Sequence, residues 1–139
     1  MGYTFTMIKP KVVESNQIGA VLQRMESAGF QVVAMKKTRL SVTEAALFYG
    51  EHEGKPFFEP LIEFMSSAPI VAIILKRDGD TIADFRKLIG NTDPNLAEEG
   101  TIRKEFATSK TYNAVHGSDS EASFEREAKF FFSTRDIYM

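Results

Sequence analysis

Six apolar residues in a row, Ile70-Val71-Ala72-Ile73-Ile74-Leu75, stand between Pro69 and an Asp78-Gly79 turn. The run is too short to cross a membrane and has the length of a buried strand. Such a strand needs other elements to cover it, and the chain supplies them in alternation. Tyr3 to Ile8 interleaves aromatic and aliphatic residues with threonine and ends at Lys9-Pro10, the pattern of a buried strand stopped by proline. Ser15 is placed to cap a helix whose Ile18, Val21, Leu22 and Met25 recur at helical spacing, with Gly29 just past its end. Phe30 to Leu40 reads as a second strand, and Ser41-Val42-Thr43-Glu44 opens a short helix through Tyr49. Pro56 suits the first turn of a helix running to about Met65. Pro69 to Leu75 is the third strand, followed by a helix from Thr81 to Ile89 that Gly90 ends. Asn91 to Tyr112 shows no strong pattern beyond a short helix after Gly100, and a loop this long inside one domain is usually functional. Val115 and its neighbours make a fourth strand. Glu121 to Phe132 makes a last helix with Phe124, Ala128 and Phe131 on one face. This order predicts an α+β, ferredoxin-like sandwich: a four-stranded antiparallel sheet, helices packed on one of its faces, and a long loop for a ligand.

The 139 residues suffice for a single domain, 1–139, with its own core. The chain has no cysteine, which excludes a disulfide scaffold, a thiolate metal site and a cysteine nucleophile, and is compatible with a reducing cytoplasm. Met1-Gly2-Tyr3-Thr4-Phe5 enters a strand pattern directly, so a secretory signal is not expected and a cytoplasmic location is. A formal net charge of -2 argues against nonspecific nucleic-acid binding through a basic surface. Anionic ligands must then be met locally, by cations such as Lys9, Lys55, Arg86 and Arg103.

Chemistry concentrates in Asn113-Ala114-Val115-His116-Gly117-Ser118-Asp119-Ser120, which sets one of two histidines between a short apolar strand and a helix start. Ser118 and Glu121 have capping-box spacing, and Ser118, Asp119 and Ser120 are each able to cap the helix. His116 therefore sits on a fixed strand end, as a reactive imidazole or as a buried, satisfied one. Arg86 falls within the stripe of Ile82, Phe85 and Ile89; a cation there either meets an anion such as phosphate or reaches water past a packed stem. Glu127, at the edge of the Phe124–Ala128–Phe131 face, either orients the imidazole or pairs with a neighbouring arginine. Lys9 ends the first strand, where it meets a phosphate, a sugar hydroxyl or solvent. Of Phe57 and Phe58, one belongs in the core and the other is available as a flat surface for a base. His52 has no partner at metal-ligand spacing, which favours a structural or surface role. P-loop, dinucleotide-binding, zincin and nucleophile-elbow motifs are absent from the sequence.

The His116-Gly117-Ser118-Asp119 run resembles the active-site signature of the nucleoside diphosphate kinases, and the likeness extends along nearly the whole chain. Thr4-Phe5-Thr6-Met7-Ile8-Lys9-Pro10, Tyr49 with His52, Lys55-Pro56-Phe57-Phe58, and Phe64 through Ala72 match in order and spacing. So do Arg86, Gly90-Asn91-Thr92-Asp93-Pro94, Gly100-Thr101-Ile102-Arg103 and Glu125-Arg126-Glu127. The resemblance implies that His116 accepts a phosphoryl group from a nucleoside triphosphate such as ATP and passes it to a nucleoside diphosphate, balancing NTP and dNTP pools. It also implies that Lys9 and Tyr49 lie near the transferred group and that Arg86, Thr92 and Arg103 bind phosphates. Asn113 and Lys9 would touch the ribose, Phe57 would stack on the base, and Glu127 would hold the imidazole. Mg²⁺ is expected to ride on the nucleotide phosphates rather than in a protein cage. The implied assembly is a homo-oligomer, hexamer or tetramer, with neither a membrane nor a specific nucleic acid as partner.

Departures from the family pattern are Lys55 in place of arginine, Glu99 where proline precedes the loop glycine, and Thr111-Tyr112 in place of Gly-Arg. These bear on loop rigidity and subunit contacts more than on chemistry. The chain also stops soon after its last helix, which leaves hexamer and tetramer both open. Single-strand nucleic-acid binding on the sheet and a catalytically silent scaffold are the competing readings. The first lacks an aromatic-glycine signature and a basic charge, and the second does not explain why His116, Lys9, Arg86, Arg103, Asn113 and Glu127 are all present.

Overall fold

A computed structural model describes residues 2 to 137. Four strands, β1 (Gly2–Ile8), β2 (Gln31–Thr38), β3 (Ile70–Arg77) and β4 (Val115–Gly117), form one sheet in the order β2-β3-β1-β4. Every neighbouring pair is antiparallel, with Phe5 opposite Ile74, Met7 opposite His116 and Ile8 opposite Val115. The described residues also hold seven α-helices, α1 (Pro10–Glu14), α2 (Ile18–Ser27), α3 (Val42–Phe48), α4 (Phe58–Met65), α5 (Thr81–Ile89), α6 (Ile102–Phe106) and α7 (Glu121–Phe131), and two 3₁₀ turns, Gly50–His52 and Thr134–Asp136. The architecture is the expected ferredoxin-like α+β sandwich.

The helices cover both faces of the sheet, not one as the element order suggested. Side chains alternate across a strand, so Phe5, Met7, Ile70, Ala72 and Ile74 pack with α3, α4 and α7, while Ile8, Val71, Ile73, Leu75 and Val115 pack with α2, α5 and α6. Topology explains the difference. The two crossovers, β1 to β2 and β3 to β4, lay α2 and α5 on the same face, as a split βαβ fold requires. The opposite face is closed by α3 and α4, inserted between β2 and β3, and by α7 after β4. Residues 70–75 are buried without a break, the signature of a strand covered on both sides.

Helix boundaries follow local chemistry. Ser41 and Glu44 form the capping box of α3, and the Asp80 carboxylate caps α5, which Gly90 ends at φ +89°. Ser15 does not cap α2; it closes α1, a helix that begins at Pro10 instead of a strand end leading into coil, and α2 starts after Gln17 without a side-chain cap. Pro56 lies before the N-cap Phe57, so α4 begins at Phe58. The expected capping box of Ser118 with Glu121 is replaced by one of Ser120 with Ser123. Ser118 is fully buried, and its hydroxyl is used elsewhere.

Candidate active site

The site grows from the edge strand β4. Met7 and His116 are paired across the ladder and share a face, which points the imidazole toward the layer of α3 and α7. There it meets Phe48 edge-on at 5.6 Å, Phe5 at 6.0 Å and Tyr49 at 6.4 Å between ring centres. The helix that follows β4 folds back over this face and brings Glu127 into the layer. Glu127 Oε2 lies 3.0 Å from His116 Nε2, close but out of line for a straight N–H···O bond, and Ser118 Oγ donates to Glu127 Oε1 at 2.6 Å. Nε2 is buried; Nδ1 is the ring nitrogen left open, and it makes no hydrogen bond within the protein.

Just before β4 the backbone turns sharply. Ala114 has φ +74°, and Val115 N–H donates to Asn113 C=O at 2.9 Å, an i to i+2 bond characteristic of a strained γ-turn. The turn aims Asn113 back toward β1, where its Oδ1 accepts from Lys9 Nζ at 2.7 Å. Lys9 is only 6 % exposed, and burial, reinforced by the nearby Arg103 charge, lowers its pKa from 10.5 to about 7.

Two arginines reach the same region from different elements. Arg103, on the short helix α6, is buried; its Nη1 donates to Gly90 O at 3.0 Å and its Nη2 to Val115 O at 2.9 Å, while Nε has no partner. Burial, and then the Arg86 charge, pull its pKa down to about 10, against a smaller opposing effect of Tyr49. Arg86 is exposed, not set into the apolar stripe of α5, and its Nη1 donates to Gly117 O at 3.2 Å. The costly buried cation anticipated on α5 is thus Arg103 on α6. Tyr49 is buried with its hydroxyl unpartnered, and burial, aided by Glu127, raises its pKa above the usual phenol range.

Of the residues singled out from the sequence, Lys9, Tyr49, Phe57, Arg86, Thr92, Arg103, Asn113, His116 and Glu127 line one cavity of about 600 Å³; Lys55, expected among the cations that meet an anion, does not line it and sits over the Phe57 ring at 5.8 Å. Four buried polar side-chain atoms lack a partner among the described residues. Three of them, Tyr49 Oη, Arg103 Nε and His116 Nε2, belong to residues that line this cavity; Nε2 faces Glu127, and the Tyr49 and Arg103 atoms mark a place that a polar ligand can complete. Phe58 is core and Phe57 is 45 % exposed at the mouth, against His52 at 5.1 Å. The sequence reading missed Glu51, Leu61, Lys110, Thr111 and Asp119 as lining residues, and gave His52 a structural or surface role although it sits at the rim. None of these carries a local signal; they reach the cavity because the 3₁₀ turn Gly50–His52, helix α4 and the loops before and after β4 converge there. The floor is cationic and the mouth aromatic, which matches a ligand with phosphates at one end and a flat ring at the other.

The sequence model of the nucleoside diphosphate kinase family matches residues 2–137. Nucleoside diphosphate kinases of Chlorobium limicola and Prosthecochloris aestuarii are each 52% identical, over 99% and 98% of this chain and 97% and 96% of theirs. The nucleoside diphosphate kinase of Aquifex aeolicus superposes with a TM-score of 0.93 at 40% identity, covering 97% of both chains. That of Halobacterium salinarum, solved in complex with CDP, gives 0.93 at 36% identity over 98% of this chain and 90% of that one. With the family matched from one end of the described chain to the other, and the fold with it, the chain belongs to the nucleoside diphosphate kinase family.

Proposed function

We propose that this enzyme moves phosphate between nucleotides in two half-reactions at one histidine. Membership of the family makes it a phosphotransferase acting on nucleotides; the route through His116 is our reading. The observation that carries it is the asymmetry of the ring: Nε2 is buried against Glu127 while Nδ1 is open to the cavity. A carboxylate on Nε2–H selects the tautomer whose Nδ1 holds a lone pair, the form a nucleophile needs. Nδ1 attacks the terminal phosphorus of a nucleoside triphosphate such as ATP, an N–P bond forms, the bridging P–O bond breaks, and the nucleoside diphosphate leaves with that oxygen. A second nucleoside diphosphate reverses the steps and leaves as a triphosphate, which balances NTP and dNTP pools.

Arg86, Arg103, Thr92 and protonated Lys9 meet the phosphates, with charge-assisted bonds from the two guanidinium groups. The unpartnered Tyr49 hydroxyl donates to the transferred group. Asn113 and Lys9 take the ribose, and Phe57 stacks on the base with little regard to its identity. The CDP bound to the Halobacterium salinarum relative supports this use of the cavity. Mg²⁺ arrives as part of the nucleotide substrate, held by its phosphates. No described helix is long and apolar enough to cross a membrane. We place the enzyme in the cytoplasm as a homo-oligomer, hexamer or tetramer.

Incubation with γ-labelled ATP tests the mechanism. The expected product is a protein-bound label that is lost in acid, survives alkali, and is discharged by GDP. Transfer activity in His116→Ala, or a label stable in acid, overturns it.

A further inference from the structure

Glu127 is 3 % exposed, and a carboxylate that deep must be met on every side. Ser118 Oγ–H donates to it at 2.6 Å, and His116 Nε2 faces it at 3.0 Å without a straight bond. The remaining contact is Arg126, the adjacent residue of α7, whose Nη2 lies 3.5 Å from Glu127 Oε2, the same oxygen that faces the imidazole. Among the described residues it is the one cation within ion-pair distance of Glu127. Neighbouring helix positions ordinarily diverge, so this approach requires the guanidinium to be held back over the site. It is held: Nη1 donates to Phe48 O at 3.1 Å, the group lies 5.6 Å over the Phe48 ring, and Nη2 is 3.9 Å from Glu51 Oε1 at the cavity wall. The same Phe48 ring is 5.6 Å from His116.

We propose that Arg126 is a positioning residue for the phosphoryl acceptor: it fixes Glu127 Oε2 against His116 Nε2 and ties that contact to the α3 segment that walls the site. It touches neither substrate nor reacting atoms. The inference rests on His116 being the acceptor and adds that the orienting carboxylate is itself oriented. With the guanidinium gone, the buried charge of Glu127 loses its counter-charge and its second anchor. The preference for the Nε2–H tautomer weakens, and the lone pair on Nδ1 is presented less often.

The test combines single-turnover labelling by Mg·ATP with long-range ¹H–¹⁵N spectra of His116 in the free, full-length enzyme. Arg126→Gln is expected to slow histidine phosphorylation about tenfold while the KM for ATP changes less than about twofold, the scale on which outer partners of functional histidines act. Arg126→Lys, which keeps the charge without the fork, recovers part of the rate. The double variant Arg126→Gln/Glu127→Gln is no slower than Glu127→Gln alone, because one residue acts through the other. In the spectra, wild type shows a protonated Nε2 and a bare Nδ1, and Arg126→Gln shows a mixture. A wild-type rate in Arg126→Gln, independent multiplication of the two losses, or an unchanged tautomer overturns the proposal. If wild type itself forms no phosphohistidine, the reading of His116 fails instead, and the tautomer spectra still decide whether Arg126 sets the ring.

Discussion

If Lys9 meets the nucleotide as proposed, affinity is expected to depend on pH in a direction and size that follow from its burial. In the free protein the ammonium is enclosed, its partner is the neutral amide of Asn113, and Arg103 repels it, so it releases its proton near pH 7. Nucleotide phosphates bound beside it, as proposed, would supply the missing anion and return it toward its ordinary 10.5, so binding above pH 7 is expected to take up a proton. The unfolded chain keeps that proton to about 10.5, so the free protein gains stability from this group as pH rises from 7 to 10.5, and the nucleotide complex does not. Linkage then sets the affinity: it falls up to tenfold per pH unit, about 25-fold between pH 7.5 and 9, with about 0.9 proton taken up per nucleotide at pH 8. Working above pH 7.5 keeps the terminal phosphate of the nucleotide fully ionised, since its own pKa is about 6. Calorimetric titration with Mg·ADP in two buffers of different ionisation enthalpy reads both quantities. Lys9→Met is expected to bind weakly at pH 7.5 and to lose the pH slope. An affinity for wild type constant within twofold from pH 7.5 to 9, with no buffer-dependent heat, refutes the reasoning.

Three further outcomes follow from the backbone around the site. Ala114→Gly relieves a left-handed alanine whose conformation costs about 1–2 kcal/mol and adds back chain entropy of about 0.4–1 kcal/mol, so denaturant melts should show it neutral to stabilised by about 1 kcal/mol. Gly90→Ala is expected to destabilise by about 2 kcal/mol or more, because φ is +89° and a Cβ would come 2.7 Å from Thr101 Cβ and Oγ1. The same change displaces the carbonyl that receives Arg103, so the KM for nucleotides rises in a steady-state assay. Ser120→Ala removes the cap of α7 and costs about 1 kcal/mol in thermal melts, whereas Glu121→Ala stays within about 0.5 kcal/mol.

What the sequence disclosed depended on length and degeneracy of the signal. α5 is legible in the sequence, because its nine positions carry two and a half turns of periodicity between an Asp-Gly turn and a glycine stop. The five-residue α1 and α6 carry barely more than one turn, too little to establish a face, so α1 went unseen and α6 was only a short helix after Gly100. Periodicity therefore points to α5 for a guanidinium beside buried surface, where Arg86 sits one position past Phe85. On a helix that step is enough to swing the side chain to the rim. Ser118, Asp119 and Ser120 are chemically interchangeable as caps, and only packing assigns Ser120 to the helix and Ser118 to Glu127. Two-sided cover of the sheet was written in the unbroken run from Ile70 to Leu75, but the helices that supply it come from an insertion and a tail that element order does not place.

The way β4 ends the sheet explains why the cations point where they do. β4 pairs with β1 alone, so one side of it presents unpaired carbonyls, a liability in any edge strand. Arg103 Nη2 takes Val115 O and Arg86 Nη1 takes Gly117 O, the carbonyls on either side of His116. Each guanidinium has five N–H donors in a fixed plane, so spending one or two on the strand orients the rest without exhausting them. The contacts that blunt the edge thus also hold both guanidinium groups at the cavity that His116 lines. Lysine in either place would keep the charge and lose this double use, because an ammonium has no plane through which one bond can direct another. On the proposed function, anion binding and the termination of the sheet are one structural solution, and the histidine proposed as acceptor lies at the middle of a three-residue strand.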